Sequence, residues 1–240
     1  MFNVTLIQPE GYSHAQALAE IVLYLGDCIR RCGHAVEETK NHVVAAGHNV
    51  IVGGHLLKEG HLAQLPPNCI VFNSEQLEDR AGWHLSSGVY RRVVDRHFVW
   101  DYSARNLSTI GHAWKAQVPF YYSAALRRTD LRREPGDYLL FYGALPKRRK
   151  QILAGLSDLG VKVRALFDVY GDARDSDMFR CRAVLNLHKS DDRSVFEPVR
   201  CFYPLINRIP VISEPFSREP LTEPFERSVL IAGAETLLDD

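Results

Sequence analysis

The sequence predicts an α/β protein with two parallel-sheet domains that face a cleft. Short apolar runs alternate with segments of helical period through most of the 240 residues, which is the pattern of β-α-β units. The alternation stops in a polar, basic stretch between positions 121 and 136 and then restarts. Polar side chains recur directly after the apolar runs, and open parallel sheets bind their ligands at that edge.

The first half begins with a strand predicted at 3–7, followed by a loop and by apolar residues at helical spacing from Ala15. Ser13 is the predicted N-cap of this helix, and Gly33 is its predicted C-terminal stop. The remaining elements of this half are strands predicted at 35–37, 49–52, 70–72 and 98–100, and a helix predicted at 85–94.

A linker is predicted at 126–136, between an N-terminal domain at 1–125 and a C-terminal domain at 137–240. The second domain repeats the alternation of strands and helices. Its strands are predicted at 138–142, 161–166, 183–187, 210–213 and 228–231, and its helices at 147–159, 174–181 and 197–207. The last residues, 235–240, have the pattern of a helix that is cut short.

Composition sets the broad class. With 46% hydrophobic and 24% charged residues the chain is globular, and its zero formal net charge argues against coating nucleic acid by bulk charge. No apolar run approaches the roughly 20 residues that span a bilayer. The first eight residues lack the features of a signal peptide, so a cytoplasmic protein is expected, with peripheral membrane contact left open.

The five cysteines are expected to be reduced thiols in the core, since their spacing matches no zinc pattern. Cys28 and Cys32 share a helix face, and His34 is the one nearby residue that would add a metal ligand. No metal site is predicted.

A glycine and a basic cluster follow the strand predicted at 138–142. Gly143 allows a tight backbone turn, and the next helix presents amide donors and its positive end to a phosphate. Lys147, Arg148 and Arg149 add positive charge, and an arginine side chain can bind a phosphate with two hydrogen bonds. The alternative is a solvated basic face. The run is neither a Walker loop nor a Gly-x-Gly-x-x-Gly fingerprint.

Asn186 and His188 lie at the end of the strand predicted at 183–187. They alternate with leucines and therefore face one side of the sheet. A histidine of this kind is either a satisfied structural residue or, because it shares an edge with the basic cluster, a ligand contact.

Glu197 and Arg200 are three residues apart at a predicted helix start, where Pro198 suits the first turn. They form either an intrahelical ion pair or a site with Arg200 on a diphosphate and Glu197 on a sugar hydroxyl. Glu214 follows the strand predicted at 210–213 on the same edge, as a hydroxyl acceptor or a plain loop carboxylate.

Together these segments resemble the carboxyl-terminal, donor-binding domain of GT-B-fold glycosyltransferases, of the bacterial "glycosyl transferases group 1" type. The resemblance covers residues 137–216, and the first half matches only in general layout. The matched segments are Leu140-Phe141-Tyr142-Gly143 with Arg148-Arg149, Val184-Leu185-Asn186-Leu187-His188, and 196–202 through to 210–214. Tyr203 and Arg208 stand where such proteins usually carry a glutamate and a glycine.

The resemblance implies two Rossmann-like domains and a metal-independent transferase. A nucleotide-diphosphate-sugar would be its co-substrate, no cofactor is implied, and the acceptor would be a glycan, peptide or other hydroxyl compound. Arg200 and the 147–149 cluster would stabilise the departing diphosphate. His14, in the loop after the first strand, is the candidate general base, and Glu75 is the alternative.

Two other functions are compatible with the same residues. One is a non-catalytic nucleotide or sugar-nucleotide binding protein that retains the fold, which Tyr203 and Arg208 favour. The other is nucleic-acid binding through the basic runs at 91–92, 127–128, 132–133 and 147–149, against which the neutral net charge counts.

Overall fold

The computed structural model describes residues 1–77, 88–191, 195–217, 219, 225 and 227–233. The chain divides into two compact units, Met1–Leu126 and Arg127–Asp240. Each unit contains one parallel sheet, of six and five strands. The predicted α/β class with two parallel-sheet domains is therefore confirmed. The helix predicted at 235–240 lies outside the described residues.

The sheet of the first unit has the order β2-β1-β3-β4-β5-β6, and every neighbouring pair is parallel. The chain runs outward from β1 in both directions, so the strand order reverses between β1 and β3. The strands are β1 Phe2–Leu6, β2 Val36–Lys40, β3 His48–Val52, β4 Cys69–Asn73, β5 Phe98–Asp101 and β6 Lys115–Gln117.

Helices connect these strands. They are α1 Ala19–Arg31, α2 Glu59–Leu62, α3 Gly88–Arg96 and α4 Ala104–Ser108, with 3₁₀ turns at Ser13–Leu18, Gly54–Leu56 and Ala124–Leu126. Ser13 is not the N-cap of α1, because the chain first makes a 3₁₀ segment that buries Ala15 and Leu18, and the α-helix starts at Ala19. The stop at Gly33 is confirmed by its left-handed φ of +84°.

Three short elements, α2, β6 and α4, have no counterpart among the predicted elements. A three-residue edge strand and helices of four and five residues are shorter than the window over which periodicity is read. Part of the helix predicted at 85–94 lies outside the described residues, and its described part extends to Arg96.

The sheet of the second unit has the order β11-β10-β9-β7-β8, again parallel throughout. Its strands are β7 Leu139–Tyr142, β8 Val163–Leu166, β9 Ala183–Asn186, β10 Val211–Ser213 and β11 Leu230–Ile231, and its helices are α5 Lys147–Asp158, α6 Gly171–Met178 and α7 Pro198–Ile206. Apolar residues of α5, among them Ile152 and Leu156, pack on Phe141 and Leu185 of the sheet. Because α5 is packed on the sheet that contains β7, both ends of the loop 143–146 between them are held in place.

The segment predicted as a linker, 126–136, is bound to the second unit over most of its length. The Arg133 guanidinium donates to the carbonyls of Phe179 and Arg182, both at 3.0 Å. The backbone amide of Gly136 donates to the carbonyl of Arg180 at 2.7 Å. These bonds hold the segment along the surface of its own unit.

All five cysteines are free thiols, of which Cys69, Cys181 and Cys201 are buried. Cys28 is half-buried and Cys32 is exposed, so the prediction of core thiols holds for three of the five. Burial raises the pKa of Cys69 and of Cys181 to about 11, so both are protonated at neutral pH. Within the described ranges, no helix has the length and apolar character needed to cross a membrane.

Candidate functional site

The strand order of the second unit fixes where its ligand edge lies. The order reverses between β7 and β9, and open α/β sheets bind ligands outside the carboxyl ends of the strands at such a point. The residues that follow β7 begin with Gly143, and those that follow β9 begin with Leu187 and His188. The predicted donor residues belong to these loops, to the loop after β10 and to the first turns of α5 and α7.

Gly143 makes the turn that leads from β7 toward α5. Its φ of +127° lies in a region that side chains other than glycine rarely adopt. A Cβ built at this position would lie 3.5 Å from Nη2 of Arg200, an ordinary contact. The backbone conformation, rather than lack of space, therefore requires glycine here, and the turn brings the chain alongside Arg200.

Two arginines share one carboxylate beside this turn. Nη1 of Arg200 donates to Oε2 of Glu197 at 2.6 Å, and Nη2 of Arg149 lies 3.7 Å from the same oxygen. The Arg149 and Arg200 guanidinium carbons lie 5.3 Å and 5.5 Å from the ring centre of Phe141. Two positive groups and one negative group give this trio a formal charge of +1 at the switch point.

Backbone and amide contacts hold both guanidinium groups in place. Arg149 is only 3% exposed and donates to the carbonyls of Leu187 at 2.9 Å and Ala144 at 3.1 Å, which ties together the loops after β9 and β7. Arg200 donates to Oδ1 of Asn186 at 2.9 Å. The positive groups are therefore oriented before any ligand arrives, which lowers the entropic cost of binding an anion.

Arg148 and Glu214 form a brace next to the trio. Nη1 and Nη2 of Arg148 donate to the two oxygens of Glu214 at 2.9 Å and 2.6 Å, and Nε pairs with Asp191. The hydrogen bond to Glu214 raises the pKa of Arg148 further above its ordinary value. Glu214 is 3% exposed, so the contact it makes here is structural; the hydroxyl contact predicted for it stays a prediction.

His188 completes the brace. Its backbone amide donates to Glu214 at 2.6 Å, and its Nε2 lies 2.8 Å from the carbonyl of Pro215. Because a carbonyl only accepts, Nε2 carries the proton and Nδ1 presents a lone pair. Nδ1 is buried and has no hydrogen-bond partner within the described part of the chain. In the neutral imidazole this nitrogen is an acceptor that no described residue uses.

A neighbouring network of charged groups holds the hydroxyl of Tyr203. The Tyr203 hydroxyl donates to Oδ2 of Asp175 at 2.6 Å, and Arg128 donates to the same oxygen at 2.6 Å. The Arg174 guanidinium lies 4.8 Å from the Tyr203 ring centre and bonds Asp175. Burial and the bond to Asp175 raise the pKa of Tyr203 above its ordinary range. Tyr203 thus serves packing, and nothing in the local sequence signalled its partner 28 positions away.

Seven of the predicted donor residues form one connected network, and Gly143 lies beside it. The chain of contacts runs from Arg148 and Glu214 through His188 and Arg149 to Glu197, Arg200 and Asn186. Lys147 stands apart as an exposed residue at the start of α5. The structure brings these residues together; the ligand each contacts stays a prediction.

The carboxyl edge of the first unit holds the predicted base residues. His14 lies in the 3₁₀ segment after β1, with its ring 5.3 Å from that of Tyr12. Glu75 follows β4, and its Oε1 lies 3.5 Å from Nε2 of His55. His55 was not among the predicted site residues. It lies three residues after β3, and this position near the carboxyl end of a predicted strand is the sequence signal that could have identified it.

Comparison with known proteins links this chain to viral relatives. No family model matches it. An uncharacterized protein of Acanthamoeba polyphaga mimivirus is 29% identical over 162 residues, which make up 65% of this chain and 18% of that protein. Two further uncharacterized proteins of the same virus are 27% identical over 168 residues and 28% identical over 152 residues.

These two matches cover 66% and 61% of this chain, and 22% and 49% of the relatives. The chain therefore spans about a fifth of the length of the first two relatives and about half of the third. The similarity itself carries no statement of activity.

Proposed function

We propose that this protein is a glycosyltransferase that moves a sugar from a nucleotide-diphosphate-sugar to an acceptor hydroxyl. The observation that supports it most is the trio of Arg149, Arg200 and Glu197 at the switch point of the second sheet. A site of this kind suits a ligand with a negative diphosphate and neighbouring hydroxyl groups. A nucleotide-sugar has both.

The chemistry assigns a separate task to each group of the trio. Cleavage of the bond between the sugar and the diphosphate leaves negative charge on the diphosphate, and fixed positive groups lower the energy of that transition state. Arg200 is the more exposed of the two arginines, with 14% of its side chain accessible against 4% for Arg149. Arg200 would exchange Glu197 for a phosphate oxygen, and Glu197 would then accept a hydroxyl hydrogen bond.

The proposal extends to the arrangement that the resemblance implies. The first unit would hold the acceptor, with His14 or Glu75 as the base, and the fold would be of the GT-B type with a cleft. The transfer would need no metal, and the protein would work in the cytoplasm.

Arg200→Ala tests the donor site. We expect it to weaken binding of a nucleoside diphosphate by about 1.5–3 kcal/mol, the usual worth of a hydrogen bond to a charged group, which is roughly 10- to 150-fold in Kd. Arg164→Ala is the matched control, because Arg164 lies on β8, away from the switch point, and pairs with Asp177 of α6. A thermal-shift screen of nucleoside diphosphates and their sugar conjugates, followed by calorimetry, gives the affinities.

An unchanged affinity in Arg200→Ala would refute the donor placement. Transfer or donor hydrolysis that disappears in this variant, with the protein still folded, would support the enzyme.

One observation favours a non-catalytic nucleotide or sugar-nucleotide binding protein as the second candidate. The hydroxyl of Tyr203, at the position where a glutamate is usual in the resembling proteins, is committed to Asp175. Tight donor binding without turnover on any acceptor would select this candidate.

Nucleic-acid binding has less support than the two functions above, because several basic residues already pair with acidic residues of the same chain. Arg91 pairs with Asp95 at 2.8 Å, Arg92 pairs with Glu59, and Arg128 pairs with Asp130, Asp172 and Asp175. Paired arginines release fewer counterions from a nucleic acid, which is the main source of such affinity.

A further inference from the structure

The first unit has a switch point of its own, and His55 lies next to it. The strand order reverses between β1 and β3, and the chain leaves β3 into the 3₁₀ turn Gly54–Leu56. A Cβ built on Gly53 would lie 3.2 Å from the carbonyl oxygen of Ile7, so the loops after β1 and β3 run close together. His55 is therefore held at the edge where open sheets bind ligands.

Glu75, the partner of His55, has a main chain fixed on two sides. Its carbonyl accepts from Asn73 at 2.7 Å and from Asn106 at 2.9 Å, and its amide donates to Asn73 at 3.2 Å. Asn73 and Asn106 are both fully buried. The carboxylate that faces His55 thus projects from a backbone with little freedom to move.

A buried carboxylate anchors this arrangement in turn. Asp101, with no exposed surface, accepts from the side-chain amides of Asn73 at 2.5 Å and Asn106 at 3.1 Å and from the backbone amide of Ser103 at 2.8 Å. The hydroxyl of Tyr90 donates to Asn73 at 2.6 Å, and its ring meets that of His55 edge-on at 6.0 Å. A second layer of bonds like this preorganises a functional pair.

Two buried oxygen atoms in the flanking loops have no hydrogen-bond partner among the described residues. They are Oε1 of Gln8, after β1, and Oγ of Ser74, after β4. The parallel register aligns Leu6 with Val52 and Val52 with Phe72, so the loops that carry Gln8, His55 and Ser74 leave the sheet at neighbouring points of one edge. An unpaired buried polar atom destabilises the fold, and a ligand hydroxyl that bonds to it would remove that cost.

The two units therefore offer different chemistry at corresponding edges. The second unit presents guanidinium groups, which suit an anion. The first presents an amide oxygen, a hydroxyl, an imidazole and a carboxylate, which suit the O–H groups of a neutral compound.

We infer that the carboxyl edge of the first sheet binds a neutral, hydroxyl-rich acceptor, and that His55 is its general base, oriented by Glu75. This inference rests on the proposed function and chooses His55 over His14. In the reaction, an acceptor hydroxyl oxygen bonds to the anomeric carbon while the bond from that carbon to the diphosphate breaks. The diphosphate leaves with the bonding electrons, the hydroxyl proton goes to the imidazole, and Glu75 stabilises the imidazolium that forms.

His55→Gln in the full chain tests the base. The probe is the nucleotide-sugar that most raises the melting temperature, assayed for hydrolysis and for transfer to a panel of free monosaccharides. We expect kcat to fall at least 100-fold, the usual worth of a positioned base, with donor affinity unchanged within about twofold. The limb of the pH profile near neutrality should disappear with the histidine. His34→Gln, an exposed histidine of the same unit, should keep wild-type turnover.

Ser74→Ala tests the acceptor site without removing the base. Because the Ser74 hydroxyl has no hydrogen-bond partner in the part of the chain that the structure describes, its removal should leave the melting temperature unchanged or higher. The acceptor KM should rise several-fold while kcat stays within about threefold. A drop in melting temperature with unchanged KM would show that the hydroxyl serves folding instead.

The stereochemistry of the product gives an independent test, because base-assisted single displacement inverts the anomeric carbon. Retention, normal turnover in His55→Gln, or a loss confined to His14→Gln would each overturn the role of His55 and leave the proposed function standing. A wild-type protein that turns over no donor would overturn both together.

Discussion

At the residue scale, two arginines set the charge of the second unit's edge. Arg149 is buried and bonded to loop carbonyls, and Arg200 is partly accessible and bonded to Asn186. Both lie near the ring of Phe141, and both share Glu197. The carboxylate of Glu197 offsets the repulsion between the two guanidinium groups. The net charge of the three groups stays positive and would attract an anion.

A single histidine outside both sites gives a pH prediction. His97 is 7% exposed, and its burial, together with the neighbouring charge of Arg96, lowers its pKa below the ordinary 6.5. The unfolded chain therefore binds this proton more readily than the folded one. The stabilisation that neutral His97 provides is present above about pH 6.5 and is lost as the pH falls through the lowered pKa.

We expect His97→Asn to flatten the decline in the free energy of unfolding between pH 7 and pH 5, because the variant lacks the buried group whose pKa is lowered. Urea unfolding at a series of pH values measures this slope. Parallel slopes for wild type and His97→Asn would contradict the assignment.

At the element scale, three helices end in the same way. After α1, α5 and α7 the residue that follows the C-cap is left-handed, and two backbone bonds close the last turn. In α1 and α5 this residue is glycine, Gly33 and Gly160, with φ of +84° and +82°. In α7 it is Arg208, with φ of +58°. Its amide donates to Leu205 at 3.0 Å, and the next amide donates to Pro204 at 2.9 Å.

This comparison predicts a stabilising substitution. A side chain in the left-handed region is strained, so Arg208→Gly should raise the free energy of unfolding by about 0.5–1 kcal/mol, because relief of strain exceeds the added freedom of the unfolded chain. Gly160→Ala is the matched control at the same place in α5, and it should destabilise by a similar amount. Thermal or chemical unfolding of both variants measures the difference. A less stable Arg208→Gly would show that the arginine side chain has a role of its own.

In the whole molecule, the two units share the order of their first three strands but differ in the side chains at the carboxyl ends of those strands. Both sheets begin with the strand order 2-1-3 in their own numbering, so each has a switch point after its first strand. Arginines gather at one edge, and amide, hydroxyl and imidazole groups gather at the other. In the proposed reaction, the first kind of edge would bind the anionic donor and the second the neutral acceptor.

The division of charge predicts where a nucleoside diphosphate acts on the molecule. We expect it to slow amide hydrogen exchange in 143–150 and 186–191, because the anion restrains the loops that follow β7 and β9. The free nucleoside, which lacks the diphosphate, is the control and should give much weaker protection. Exchange measured by mass spectrometry resolves these segments. Protection found only within 1–126 would place the anion in the wrong unit.

Much of the fold could be predicted from the sequence, because the relevant signals are local. Apolar runs such as 139–142 and 183–186 are strands because their side chains suit a buried sheet, and Gly33 ends a helix because it alone tolerates the left-handed turn without strain. The limits of elements were less accurate. The 3₁₀ segment before α1 and the short strand β6 depend on how neighbouring chain packs.

The parallel α/β class, and the ends of the strands near which the polar side chains lie, could be predicted from local patterns of residues. Which of these side chains meet depends on how the elements are arranged in space. Arg148 reaches Glu214 across 66 positions, Tyr203 reaches Asp175 across 28, and His55 lies beside Glu75. These partners depend on strand order and register, which come from the burial of whole sheet faces rather than from any short run of residues.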